Sequence, residues 1–181
     1  MSRIGAAVAV WGVLLAGACR KDTGAARGDA FRPLAVGDLV PAYAVATLAG
    51  DSARVAPGEP VTLLNVWATW CTSCREEMAT LQALHDEFAP RGVRVLAVSV
   101  DGGSDAGVRS YVSEQHFTFP VGHDPQGQIE ETFRIVGVPT TLLIDAGAAL
   151  RWEHIGPITG VASEARSALD RALGAGTGGG P

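Results

Sequence analysis

Two cysteines separated by two residues, Cys71 and Cys74 in Trp70-Cys71-Thr72-Ser73-Cys74, follow directly on the apolar run at 61–67 (VTLLNVW). After them, Met78, Leu81, Leu84 and Phe88 recur at helical spacing. The apolar run reads as a strand buried on both faces, and the spacing after it as an amphipathic helix. A strand that ends in C-x-x-C and feeds a helix sets the first sulfur at the helix N-terminus. There the unpaired N–H groups and the macrodipole favour a thiolate over a thiol. A thiolate beside a second thiol exchanges disulfides.

The rest of the chain alternates in the same way. Residues 43–48 and 53–56 flank Ala49-Gly50-Asp51-Ser52, a hairpin signal. A helix over 73–89 is stopped by Pro90 and Gly92, and 93–100 (VRVLAVSV) is a second buried strand. Residues 105–116 form a helix, and the turn Asp124-Pro125-Gln126-Gly127 introduces a short one over 129–135. A strand over 140–145 (TTLLID) pairs with 149–155 as an edge hairpin. The closing helix, 161–173, carries Val161, Ala165, Ala168, Leu169 and Leu173 on one side. The order β-α-β-α-α-β-β-α predicts an α/β fold, a central mixed sheet with helices on both faces.

Composition bounds the function. With 47% hydrophobic and 18% charged residues the chain has the makings of a real core, and its net charge of −5 argues against non-specific nucleic-acid binding. The first residues read as an export signal: Arg3, then an uncharged apolar run over 4–18, short for a membrane span. Two processing routes fit. Ala16-Gly17-Ala18 offers small residues for signal-peptidase cleavage, and Leu15-Ala16-Gly17-Ala18-Cys19 resembles a bacterial lipobox that would put lipid on Cys19. Both routes, and the alternative of an uncleaved N-terminal anchor, place the domain on the outer side of the bacterial cell membrane, with a lipid anchor in the Cys19 case. The expected layout is a signal peptide at 1–18, a flexible tether at 19–32, the folded domain at 33–173 and a disordered Gly-rich tail at 174–181. Cys19 belongs to the leader boundary, which leaves Cys71 and Cys74 to pair with each other. A bridge closing so small a loop constrains the unfolded chain little, so it reads as redox-active rather than structural.

Four motifs, in order, carry a family resemblance. They are Gly37-Asp38-Leu39-Val40-Pro41-Ala42-Tyr43, Asn65-Val66-Trp67-Ala68-Thr69-Trp70-Cys71, Cys74-Arg75-Glu76-Glu77-Met78 and Phe133-Arg134-Ile135-Val136-Gly137-Val138-Pro139-Thr140-Thr141. With them the chain resembles the TlpA-like and ResA-like thioredoxin-fold thiol–disulfide oxidoreductases, membrane-tethered proteins of bacterial envelopes. The resemblance implies a thioredoxin-like fold with an N-terminal β-hairpin and a central insertion. It implies protein disulfide or dithiol substrates, apocytochrome c or copper-site cysteines among them, and a membrane thiol carrier as electron donor.

Cys71 is the candidate nucleophile and Cys74 the resolving thiol. By the resemblance, Val138-Pro139 matches the cis-proline that faces the C-x-x-C, with the Val138 main chain free to pair with an extended substrate. Trp70 is assigned to the docking surface and Trp67 to the core. A glutamate at the place of Glu77 lies near the cysteine pair in such relatives, and a partly buried carboxylate there would accept the Cys74 proton; the alternative is a solvated charge like Glu76. The buried acid of thioredoxin falls at Asn65, so it is absent. Ser73 and Ala79 stand where many relatives have proline; losing the first frees an N–H to donate to the Cys71 sulfur, which would make the pair more oxidising.

No cofactor or metal is implied. A zinc knuckle needs two more ligands, and a c-type haem attachment needs histidine where Arg75 stands. The competing reading is copper delivery on the same fold, which would have to recruit His123 or His154; His85 and His116 lack ligand spacing as well. A peroxidase needs Thr-x-x-Cys, and Thr69-Trp70-Cys71 has the wrong spacing.

Overall fold

The computed structural model describes residues 32–176. The export-signal segment, Cys19, most of the tether and residues 177–181 lie outside the described residues. Among those described, no helix is long and apolar enough to cross a membrane.

A hairpin comes first, β1 (Tyr43–Ala46) and β2 (Ser52–Val55), turning at Gly50 with φ 93°. Then follow β3 (Thr62–Trp67), α1 (Thr72–Phe88), β4 (Arg94–Ser99) and α2 (Ala106–Gln115). The second half adds β5 (Val121–His123), α3 (Gln128–Phe133), β6 (Thr140–Ile144), β7 (Leu150–Ile155) and α4 (Ala162–Gly176). The main sheet has the order β5-β4-β3-β6-β7, with β3–β4 and β4–β5 parallel and β3–β6 and β6–β7 antiparallel. This is the mixed, helix-covered sheet of a thioredoxin-like fold.

Every residue of β3 is buried, so alternate side chains serve two cores. Leu63 and Trp67 face one side, where Met78, Leu81, Leu84 and Phe88 of α1 meet Ala165, Ala168 and Leu169 of α4. Leu64 and Val66 face the other, against Tyr43, Val45 and Val55 of the hairpin and Ile129 and Phe133 of α3. Burying each large side chain of the α1 stripe contributes about 2 kcal/mol. The same alternation turns Asn65, at 0% exposure, toward α1.

Three elements differ from the sequence expectation. Strand β5 was not foreseen: its three residues between Pro120 and Asp124 are too few to show a period. It is the edge of the sheet, and the β1–β2 hairpin covers it through a bridge from Thr47 to Gly122 and a Leu48 N–H to Val121 carbonyl bond of 2.8 Å. Gly122 is needed there, since a Cβ would lie 2.7 Å from Val45 Cγ1. Pro90 does not end the helical path at residue 89; it sits in a 3-10 turn, Ala89–Arg91, and Gly92 at φ 87° makes the stop. Finally, Val161 lies in a 3-10 turn, Ile158–Val161, that precedes α4, and α4 continues past Leu173 to Gly176.

Candidate active site

The loop from β3 to α1 presents the cysteines, and β4 holds that loop in place. The Asp101 carboxylate accepts the Thr69 N–H at 2.9 Å and the Thr69 hydroxyl at 2.5 Å. Ser99 donates to the same carboxylate at 2.7 Å, and the Val100 N–H reaches the Trp67 carbonyl at 2.9 Å. A carboxylate that takes up both donors of one residue fixes that residue's backbone. Asp101 was not singled out from sequence, because its partner lies 32 positions away.

Cys71 is the N-cap of α1, with φ −86° and ψ 110°, and its sulfur accepts the Cys74 N–H at 3.2 Å. A sulfur thus occupies the place that a Ser or Asp oxygen usually fills at a helix start. Cys71 and Cys74 are joined as a disulfide, S–S 2.10 Å with Cα atoms 5.2 Å apart. The two sulfurs are not equivalent: Cys71 is 8% exposed and Cys74 is 0% exposed. Cys71 is the less enclosed of the two residues. Trp70 beside it is 68% exposed, whereas Trp67 is fully buried against Tyr111.

Across from the disulfide, the Val138–Pro139 peptide is cis, and the Val138 carbonyl oxygen lies 4.0 Å from Cys71 Sγ. The proline segment is held by the Gly156 N–H to Pro139 carbonyl bond, 2.8 Å, and by the Thr140 hydroxyl on the Gly137 carbonyl, 2.7 Å. Val136, next along, is 65% exposed. Trp70, Cys71, Val138 and Pro139 are thus assembled from two distant parts of the chain.

Glu77 has no surface at all. One carboxylate oxygen accepts from Asn65 Nδ2 at 2.8 Å, the other from the Ile158 N–H at 2.8 Å. Asn65 also donates to the Thr141 hydroxyl at 3.0 Å. Burial pushes the Glu77 carboxyl up to about 7, and the two donors only partly offset it. The solvated reading of Glu77 is therefore corrected, and so is "partly buried": it is enclosed between β3, α1 and the 3-10 turn before α4. Asn65, on β3, holds the acid that α1 supplies. Its Oδ1 has no hydrogen-bond partner among the described residues.

Ser73 is half-buried, with its hydroxyl oxygen 3.5 Å from Cys71 Sγ. The donors that reach this sulfur are the Cys74 amide and the Ser73 hydroxyl, rather than the Ser73 amide expected from the missing proline. The histidines serve elsewhere: His123 Nε2 bonds the Asp101 carbonyl at 2.8 Å, and His154 stacks on Trp152. Among the described residues no three His, Cys, Asp or Glu side chains converge as a metal site requires. The 410 Å³ cavity between the hairpin turn and Val112, Phe117, Phe119 and Pro120 contains none of the site residues.

Residues 36–153 match the AhpC/TSA family. The chain is 33% identical over 138 residues to the thioredoxin-like protein YneN of Bacillus subtilis, covering 74% of this chain and 79% of that one. It is 32% identical over 128 residues to the thiol-disulfide oxidoreductase ResA of Geobacillus kaustophilus, covering 70% and 72%. To the ResA of Oceanobacillus iheyensis it is 42% identical over 82 residues, a match that spans 45% of this chain and only 42% of that relative. A crystal structure from Chlorobium tepidum assigned to the thiol:disulfide interchange protein DsbE superposes with a TM-score of 0.71 at 25% identity, over 77% of this chain and 99% of that one. StoA from Bacillus subtilis shares the fold, with a TM-score of 0.62 at 22% identity over 71% and 96%. The chain belongs to the AhpC/TSA family, among its ResA-like thiol–disulfide oxidoreductases of thioredoxin fold.

Proposed function

We propose that this protein works outside the cytoplasm, tethered to the membrane by its N-terminus, and reduces disulfides of envelope proteins through Cys71 and Cys74. The observation that carries the chemistry is the asymmetry of the pair: a helix-capping cysteine that keeps some exposed surface, and a partner cysteine with none. The tether and the export signal rest on residues 1–32 of the sequence, with lipid on Cys19 as one of two processing routes. Apocytochrome c and copper-site proteins are the substrates that the family resemblance suggests, and a membrane thiol carrier is the suggested source of electrons.

In the reduced protein the Cys71 thiolate attacks one sulfur of a substrate disulfide. A bond forms between Cys71 and that sulfur, the substrate's S–S bond breaks, and the other substrate sulfur leaves as a thiolate that takes a proton from solvent. Trp70 and Val136 offer apolar contact to the substrate, and the Val138 main chain lies beside the reacting sulfur to pair with an extended segment. Cys74 then gives its proton to Glu77 and attacks Cys71 Sγ. The mixed disulfide breaks, the second substrate sulfur leaves and is protonated, and the Cys71–Cys74 disulfide has formed. Two electrons and two protons have passed to the substrate, and a donor dithiol returns them. A carboxyl held near 7 exists in both protonation states near neutrality, which suits a proton acceptor used once per cycle.

The test is a trap. Cys74→Ser, incubated with a disulfide-bearing peptide, is expected to accumulate a covalent peptide adduct on Cys71 that dithiothreitol releases. Absence of any adduct under conditions where the intact pair turns the peptide over would overturn the assignment of Cys71 as the attacking sulfur.

A further inference from the structure

The Ser73 hydroxyl is 3.5 Å from Cys71 Sγ, and it makes no other hydrogen bond among the described residues. In the disulfide, Cys71 Sγ carries no hydrogen. The hydroxyl must therefore be the donor in this contact, and the sulfur the acceptor. A disulfide sulfur is neutral and accepts weakly, whereas a thiolate carries a full charge. Hydrogen bonds to ionised acceptors are about twice as strong as those between neutral groups. A donor already aimed at Sγ in the oxidised protein thus stabilises the reduced protein more.

We propose that Ser73 sets the redox balance of this pair, its hydroxyl donating to the Cys71 thiolate and so holding the protein toward the dithiol. The inference rests on the reading of Cys71 as the attacking sulfur. Two donors serve that sulfur. The Cys74 N–H, at 3.2 Å, is main chain and would serve any residue type at position 73. The hydroxyl comes from the side chain of Ser73 alone. Thr72, its neighbour, is exposed. Ser73 is held by the first turn of α1 and is half-buried, so the hydroxyl does not have to be ordered anew when the bond opens.

The equilibrium is a two-electron exchange. Two glutathione thiols become one glutathione disulfide as the Cys71–Cys74 bond opens to two thiols, and the reverse reaction closes it. Loss of one hydrogen bond to a charged acceptor is expected to move this equilibrium about tenfold toward the disulfide. That is a fall of about 30 mV in reduction potential.

The experiment equilibrates the full chain, Ser73→Ala and Ser73→Thr in graded glutathione buffers and reads the reduced fraction by the mass added on alkylation. Ser73→Ala is expected to shift about tenfold toward the disulfide. It is also expected to move the pH at which Cys71 becomes half-maximally reactive to iodoacetamide upward. Ser73→Thr keeps a hydroxyl and is expected to stay with the parent in both readouts. Alanine is at least as good a helix former as serine, so the thermal midpoint of the oxidised form serves as a check that the fold is intact. An unchanged potential in Ser73→Ala would overturn the proposal, and so would a Ser73→Thr protein that shifts as far as Ser73→Ala. The functional reading is scored separately on the parent chain. A parent inert toward protein disulfides sinks that reading even where the Ser73 shift appears, and an active parent with no shift sinks only the role of Ser73.

Discussion

Cys71→Ser is expected to abolish disulfide turnover, by roughly 10³-fold or more in an insulin-reduction assay with dithiothreitol as donor. Cys71 is the only residue of the pair with any exposed surface, and a serine hydroxyl at the same place is not ionised near neutrality. The remaining thiol cannot substitute for it, because Cys74 lies fully buried on the same α1 face as Met78 and Leu81. The fold should persist, since serine is a good helix N-cap and the bridge closes a loop of sequence separation 3. Turnover by Cys71→Ser at the parental rate would contradict the assignment. The contrast with Cys74→Ser, which keeps the first exchange and loses the second, separates the two roles.

Glu77 gives the second large effect. Burial raises its carboxyl from the ordinary 4.5 to about 7. Below pH 4.5 the group is neutral in the folded and unfolded chain alike, and it costs nothing. Between 4.5 and 7 the unfolded chain loses its proton while the folded chain keeps it, so stability falls as pH rises. Above 7 the folded protein carries the buried charge and the full cost of about 3 kcal/mol is present. Urea unfolding of the oxidised protein is therefore expected to show greater stability at pH 5 than at pH 8, and Glu77→Gln to lose that part of the slope. The same variant, with Cys74 intact, is expected to slow resolution of the mixed disulfide by about 10²-fold, with the inflection near pH 7 removed. Parallel pH profiles for parent and variant, in both stability and resolution, would contradict the account of Glu77.

What could be read from sequence was what is local. The run over 61–67, the C-x-x-C and the stripe Met78, Leu81, Leu84, Phe88 are contiguous, and periodicity resolves them. Their arrangement as strand, cap and helix follows from neighbours within a few residues. The site residues that escaped, or stayed undecided, depend on distant partners. Glu77 and Glu76 are adjacent charges on one helix, and nothing in their spacing says which is enclosed. The decision is made by Asn65, 12 positions before Glu77, and by the Ile158 N–H, 81 positions after it. Asp101 escaped for the same reason, since its hold on Thr69 exists only once β3 and β4 lie side by side. Strand β5 is short and owes its place to the hairpin laid over its edge. The cis Val138–Pro139 peptide had no local signal apart from the family motif around it.

The central claim is that position 71 holds the sulfur that meets the substrate and position 74 the one that does not. Competitive alkylation of the reduced protein at neutral pH, with each site read by mass spectrometry, addresses this directly. The account predicts that Cys71 is labelled well ahead of Cys74 and faster than a cysteine in an unstructured peptide. Labelling of Cys74 first, or of Cys71 no faster than the peptide, would contradict it.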